Sequence, residues 1–210
     1  MTPLSALPSS ETTARETLRC LQGLEEFNKV RILVTGGLAL LNHFPGSEKV
    51  EFLVFLEGVF DHRLDEHPSG APDLFKSRLS SMHPDSFRHQ LNLFRINGIQ
   101  LQFIPKEILP YVPQGARTIA ETREMNTNDL PYISGLDLFV YMVVSYEMST
   151  ETSNGCAYVR VITNFLRHLQ SRGPVVFSSQ QMESLASGLD WLTKYGRWDQ
   201  EQWVLELGLD

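Results

Sequence analysis

Two short segments of the sequence carry residues that could take part in chemistry. Gly36 and Gly37 separate a β-type run from an apolar helical stretch, so their main-chain N–H groups could approach a phosphate or another anion. A strand-to-helix turn that needs small residues for close packing explains the pair equally well. Glu51 is a lone carboxylate in the apolar segment 50–56, where apolar neighbours would raise its pKa and suit a general base. Lys49 could neutralise a bound anion, or it could pair with Glu51 in the remnant of an older site.

The hydrophobic pattern predicts the elements that position these residues. Residues 10–28 repeat apolar side chains every three or four positions, which indicates an amphipathic helix, and a strand over 30–34 leads through the glycines into a helix over 38–44. Segment 50–56 is typical of a buried central strand. Asn97-Gly98 between two β-type runs, 91–96 and 99–104, predicts a two-residue hairpin.

The second half of the chain shows the helical period instead. Strands in the first half and helices in the second predict an α+β fold, with a mixed β-sheet, flanking helices and a C-terminal helical region. The later helices are predicted over 134–148, 156–171, 178–195 and 199–207. Between the halves we expect a helix over 73–82, a short helix starting at Pro84 and an extended segment from Pro105 to about Thr127. The predicted organisation is a flexible arm over 1–9, an α/β core over 10–130, and a helical region over 131–210 packed on that core.

Composition excludes several classes of partner and site. The chain of 210 residues has 18 basic and 25 acidic side chains, a net charge of −7, so no global positive field attracts DNA or an anionic membrane. Cys20 and Cys156 lie far apart, which argues against a disulfide framework or a zinc knuckle. The longest apolar run, 139–144, is too short to cross a bilayer, and residues 1–10 do not have the pattern of a signal peptide. We expect a soluble, cytoplasmic protein.

Three segments, taken in order and with their spacing, resemble the nucleotidyltransferase-like superfamily, whose minimal fold is that of the polymerase-β-type enzymes. They are residues 34–40 around the glycine pair, residues 50–54, and the later strand 98–105. The resemblance implies a glycine pair that opens a helix, a neighbouring strand with Asp-x-Asp, and a third carboxylate on the later strand. At the matching positions this sequence has Lys49-Val50-Glu51 and Gln102, so two of the three acids are replaced.

The replacements change what the resemblance implies about cofactors. Family members hold two divalent cations with these carboxylates, and Mg²⁺ prefers carboxylate oxygens in octahedral geometry. Lys49 places a positive charge at the first position, where it would repel a cation. We therefore expect no bound metal of the two-ion type and at most a weak single Mg²⁺ site on Glu51.

The sequence thus predicts a nucleotidyltransferase fold whose old active-site cleft binds a small-molecule or nucleotide-like ligand, or a protein partner. Lys49 and Glu51 are the candidate catalytic residues. The candidate ligand-binding residues are Thr35, Gly36, Gly37, Gln102 and His43, the last at the end of the glycine-pair helix, where an exposed or satisfied role is the commoner one. An alternative is a biosynthetic transferase with replacement chemistry on an activated nucleotide, acyl or aminoacyl-tRNA donor, with tRNA as a further partner.

Three tryptophans, Trp191, Trp198 and Trp203, fall in the predicted C-terminal helices. Their rings could stack on a base or on a ligand ring, although core packing between helices is the commoner reason for such spacing.

Overall fold

The computed structural model divides the chain into two compact units. It describes residues 6–45, 54–59, 77–78, 80–82, 87–90, 93–96, 99–102, 111–126, 129–147 and 155–209. The first unit contains the described residues of 6–39, 54–102 and 115–133. The second contains those of 40–45, 111–114 and 134–209.

The described residues before position 119 include six strands. They are β1 (Arg31–Thr35), β2 (Val54–Val59), β3 (Phe87–Gln90), β4 (Leu93–Ile96), β5 (Ile99–Gln102) and β6 (Arg117–Thr118). The described helices up to Thr122 are α1 (Ala6–Gln22), a 3₁₀ turn (Glu25–Phe27), α2 (Gly36–His43), α3 (helical residues 77–78 and 80–82) and α4 (Ile119–Thr122).

The later chain is helical. Its elements are α5 (Gly135–Glu147), α6 (Gly155–Ser171), α7 (Ser179–Ser187), α8 (Leu189–Tyr195) and α9 (Gln200–Leu207).

The strands form one mixed sheet with the order β3-β4-β5-β2-β1-β6. Strand β2 is central: it runs antiparallel to β1, with Phe55 opposite Thr35, and parallel to β5, with Phe55 opposite Gln102. Strands β4 and β5 are antiparallel with Ile96 opposite Ile99, which confirms the predicted hairpin. The α+β fold class and the mixed sheet predicted from the sequence are confirmed.

The core of the first unit forms where α1 packs beside β1. One stripe of α1 is buried because its apolar residues recur at helical spacing, and the 3₁₀ turn adds Phe27, which is also fully buried. The cluster comprises Ala14, Leu18, Leu21, Leu24, Phe27, Val30, Ile32, Val34, Leu38, Ile119 and Leu130. This core fixes β1, and therefore the start of α2, from one side.

The second unit is built around α5. Residues 138–144 of this helix are all buried, so α5 is enclosed on every side, and it packs against α6 and α7. Ser134 followed three residues later by Asp137 predicts a capping pair, and the structure confirms it, because the Asp137 main-chain N–H donates to Ser134 Oγ at 3.0 Å. Helix α7 begins with a reciprocal box between Ser178 and Gln181, and Asp199 caps α9.

Several sequence predictions of local structure need correction. Helix α1 begins at Ala6, so residues 6–9 of the predicted arm are helical. The predicted short helix at Pro84 is wrong for residues 87–90, which form strand β3 and pair with β4. The extended segment to Thr127 contains β6 and the capped helix α4. In the last two cases a nearby strand or cap, which proline and turn residues do not reveal, decided the structure.

Two predicted elements differ in their bounds. The sequence predicts a central strand over 50–56, whereas β2 runs from Val54 to Val59. Residues 50–53 lie outside the described part of the chain. The single helix predicted over 178–195 is broken at Gly188 into α7 and α8. A Cβ at Gly188 would stand only 2.5 Å from Val143 Cγ1. Glycine at this position therefore allows the break between α7 and α8 to lie in direct contact with α5.

Candidate functional site at the junction of β1 and α2

The glycine pair lies where β1 ends and α2 begins. Gly36 has a φ of 69°, in the left-handed region that favours glycine, and Gly37 is buried. The strand enters this turn through Thr35, which is fully buried. The predicted strand, glycine turn and helix are therefore present, and the first N–H groups of α2 have no partner within the helix itself.

Thr35 carries an unsatisfied polar atom at this junction. Its Oγ1 is buried and forms no hydrogen bond among the described residues. Leaving a buried hydroxyl without a partner costs roughly 1–3 kcal/mol. Such a group is often a position where a ligand or an ordered water completes the bonding.

Main-chain bonds on both edges hold β1 in place next to Thr35. On one edge β2 pairs along the whole strand. On the other edge the Val34 N–H donates to the Pro131 carbonyl at 2.8 Å, and the Ile133 N–H donates to the Val34 carbonyl at 3.1 Å. These bonds on the two edges fix the main chain of β1 at the point where it enters the glycine turn.

The sheet brings together two of the residues that the sequence analysis selected. Thr35 on β1 and Gln102 on β5 both stand opposite Phe55 of the strand between them. Two strand spacings of about 4.8 Å separate their main chains by about 10 Å. Lys49 and Glu51 lie outside the described residues, so the structure gives them no position.

Comparison with known proteins gives the fold of the chain. No protein-family model and no curated protein matches the sequence. A solved structure, that of an antigenic nucleotidyltransferase-like protein from Paracoccidioides brasiliensis, superposes with a TM-score of 0.58 at 14% identity. The alignment covers 93% of this chain and 94% of that one. The chain has a nucleotidyltransferase-like fold.

His43, the last candidate, ends helix α2 of this nucleotidyltransferase-like fold in the second unit, whereas Thr35, Gly36 and Gly37 belong to the first. Its side chain is half-buried. A Cβ at Gly135 would stand 3.7 Å from His43 Nδ1 and 3.1 Å from Leu169 Cδ2, so the imidazole packs against the start of α5. The ligand-binding role of His43 stays a prediction.

Sequence reasoning missed a buried polar network in the second unit. The Tyr111 hydroxyl and the Gln181 side-chain amide both donate to Asp137 Oδ1, the latter at 2.8 Å, and Ser134 Oγ donates to Oδ2 at 2.8 Å. Burial, and then the hydrogen bond to Asp137, raise the pKa of Tyr111 well above its usual range. The network therefore joins the segment at Tyr111 and the start of α7 to the start of α5.

Two features of the described residues concern metal ions and membranes. Within that part of the chain, no three His, Cys, Asp or Glu side chains cluster closely enough to hold a metal ion. No described helix combines the length and apolar character needed to span a membrane.

Proposed function

We propose that this protein binds an anionic, nucleotide-like ligand at the junction of β1 and α2 and does not catalyse two-metal nucleotidyl transfer. The observation that carries the proposal is the buried, unpaired hydroxyl of Thr35, which immediately precedes the glycine pair at the start of α2. The nucleotidyltransferase-like fold alone would not indicate ligand binding, because proteins with the same fold can have different functions.

The chemistry of the junction suits an anion. The start of α2 offers N–H groups that have no partner within the helix and the positive end of the helix dipole. The glycines allow a phosphate to approach the main chain, and the Thr35 hydroxyl adds a donor from the strand. We propose that Lys49 supplies the positive charge that a metal ion would supply in an active relative, with Gln102 as a neutral hydrogen-bonding group.

The donor set does not fit a pair of magnesium ions. At the three positions that would carry acids the sequence has one lysine, one glutamate and one glutamine. Two closely spaced divalent cations need several shared carboxylates, and one carboxylate beside a lysine cannot balance their charge. Glu51 alone would form at most a weak single-ion site.

Calorimetric titration with ATP, CTP, GTP and UTP, each with and without Mg²⁺, tests the proposal. We expect binding that does not require Mg²⁺. The change Thr35→Val removes the hydroxyl at nearly constant volume and should weaken binding about tenfold, the loss typical of a hydrogen bond to a charged group. Thr193→Val is the matched control, because Thr193 Oγ1 is also buried without a partner among the described residues but lies in the second unit.

Two results would overturn the proposal. One is rapid, Mg²⁺-dependent release of pyrophosphate that Glu51→Ala abolishes, which would show an active two-metal enzyme. The other is nucleotide binding that is equal in the Thr35→Val variant, the Thr193→Val variant and the wild type.

A further inference from the structure

A cavity of about 540 Å³ lies within the second unit, between α6 and the turn that follows α8. Its volume is in the range of small-molecule sites, about 300–1,000 Å³. Helix α6 contributes polar and apolar residues to one wall, namely Cys156, Ala157, Val159, Arg160, Thr163, Asn164 and Arg167. The opposite wall is the turn 195–198.

Two glycines give the cavity its shape. A Cβ at Gly196, in the turn, would stand 2.5 Å from the Leu192 carbonyl oxygen and 3.1 Å from Val159 Cγ1 of α6. A Cβ at Gly155, at the start of α6, would stand 2.5 Å from the ring of Tyr195. Glycine at position 155 therefore lets Tyr195 lie directly against the start of α6, and glycine at position 196 avoids a clash with the end of α8.

The cavity concentrates positive charge in an acidic protein. Arg160, Arg167 and Arg197 line it, and none of the described residues that line it is acidic, although the chain has a net charge of −7. Within the described part of the structure, neither Arg167 nor Arg197 forms an ion pair with a carboxylate. These two guanidinium groups on one concave surface favour a bound anion, since arginine forks match phosphate oxygens.

Aromatic rings stand next to this charge. Trp198, which lines the cavity, is half-buried and packs edge-on against the fully buried Trp203, with ring centroids 4.6 Å apart at 65°. The Arg167 guanidinium lies 5.2 Å from the centroid of the Trp198 ring. Tyr195 is the second aromatic residue of the wall. A ligand with a planar ring can therefore stack within reach of the arginines.

We propose that this cavity binds a nucleoside phosphate, with the phosphate held by Arg167 and Arg197 and the base stacked on Trp198. Free mononucleotides and single-stranded RNA share this chemistry. The site lies in the second unit and is independent of the function proposed for the junction of β1 and α2.

The exposed thiol of Cys156 gives a direct probe of occupancy, because it lines the cavity, while the half-buried Cys20 in the first unit serves as an internal reference. The rate of thiol modification is measured with AMP, adenosine, inorganic phosphate or a short oligoadenylate. We expect AMP to slow modification of Cys156 and not of Cys20, and adenosine or phosphate alone to protect far less. Stronger protection by the oligoadenylate, with the same dependence on arginine, would also support the site and identify its ligand as RNA.

Arginine substitutions distinguish AMP binding in this cavity from AMP binding elsewhere on the protein. Arg167→Gln and Arg197→Gln should each weaken AMP binding about tenfold, the effect of losing one charge-assisted hydrogen bond. Arg172→Gln, at an exposed arginine just beyond α6 that does not line the cavity, is the matched control and should bind as the wild type does. Melting temperatures of all three variants verify folding.

The proposal is wrong if saturating AMP and oligoadenylate leave the modification rate of Cys156 unchanged. It is also wrong if protection persists in the Arg167→Gln/Arg197→Gln double variant but disappears in Thr35→Val, because the ligand would then act from the first unit.

Discussion

Tyr111 donates a hydrogen bond to Asp137 across 26 residues of sequence, and both side chains are almost completely buried. The same carboxylate caps α5 through Ser134 and accepts from Gln181 at the start of α7. One buried group therefore ties together the segment at residue 111 and two helices. A buried carboxylate is tolerated because its hydrogen bonds replace those that water would make.

Removing the carboxylate should destabilise the second unit strongly. Asp137→Ala would leave the Tyr111 hydroxyl and the Gln181 amide buried without their acceptor, and we expect a loss of about 3 kcal/mol or more in the free energy of unfolding. Tyr111→Phe removes one donor and should cost about 1 kcal/mol. Urea unfolding followed by circular dichroism measures both, and equal losses in the two variants would contradict a shared network.

Alkaline pH should weaken the fold through Tyr111. Its pKa is raised in the folded protein, by burial first and then by the hydrogen bond to Asp137, so the folded state keeps a proton that the unfolded state loses above about pH 10. The stabilisation is thus complete below that pH and decreases as the pH rises further. Tyr132, whose pKa burial raises to about 12, acts in the same direction. Urea unfolding from neutral pH upward should show a shallower decline for Tyr111→Phe than for the wild type.

The buried hydroxyl of Thr35 should reduce the stability of the ligand-free protein. Thr35→Val replaces an unpaired polar group with a methyl of similar shape, and we expect the free energy of unfolding to rise by about 1 kcal/mol. Thermal unfolding with and without nucleotide measures the effect. A variant that is less stable than the wild type would indicate that the hydroxyl has a partner of its own in the free protein.

Gly188 should not tolerate a side chain. The methyl group of Gly188→Ala would meet Val143 Cγ1 at 2.5 Å in the middle of the enclosed helix α5, and overpacking of this kind costs roughly 1–3 kcal/mol. Val143→Ala creates the missing space, so the double variant should be more stable than the sum of the two single losses predicts. Strict additivity in urea unfolding would exclude the clash.

The two cysteines should differ in reactivity. Cys156 is exposed, whereas burial, and then the charge of Glu16, raise the pKa of the Cys20 thiol. At neutral pH we expect a chromogenic disulfide reagent to modify Cys156 in a fast phase and Cys20 in a slow one. The Cys156→Ser variant should lose the fast phase alone, and loss of the slow phase instead would reverse the assignment.

The sequence predicted correctly those elements that a few adjacent residues determine. The Asn97-Gly98 hairpin and the cap at Ser134 follow from a few adjacent residues, and the structure confirms both. The pairing of Asp137 with Tyr111 could not be predicted, because it depends on how distant segments meet. Strand β3 was missed for the same reason, since its partner β4 stabilises it more than its own sequence does.

The candidate sites divide in the same way. The glycine pair could be identified from the sequence because of its spacing to the later strands. Thr35 was identified as the residue next to the pair. Arg160 and Arg167 look like the solvent face of an ordinary amphipathic helix, and only the position of Arg197 and Trp198 in the turn after α8 makes them part of a cavity.

The main-chain bonds of Val34 determine where the first unit can be cut. The sequence places a domain boundary between residues 130 and 131, yet Pro131 and Ile133 complete the ladder along β1. A recombinant fragment that stops at Leu130 would leave one amide and one carbonyl of Val34 bare at an open sheet edge, which invites intermolecular strand pairing and precipitation. A fragment that continues through Ile133 keeps that edge covered.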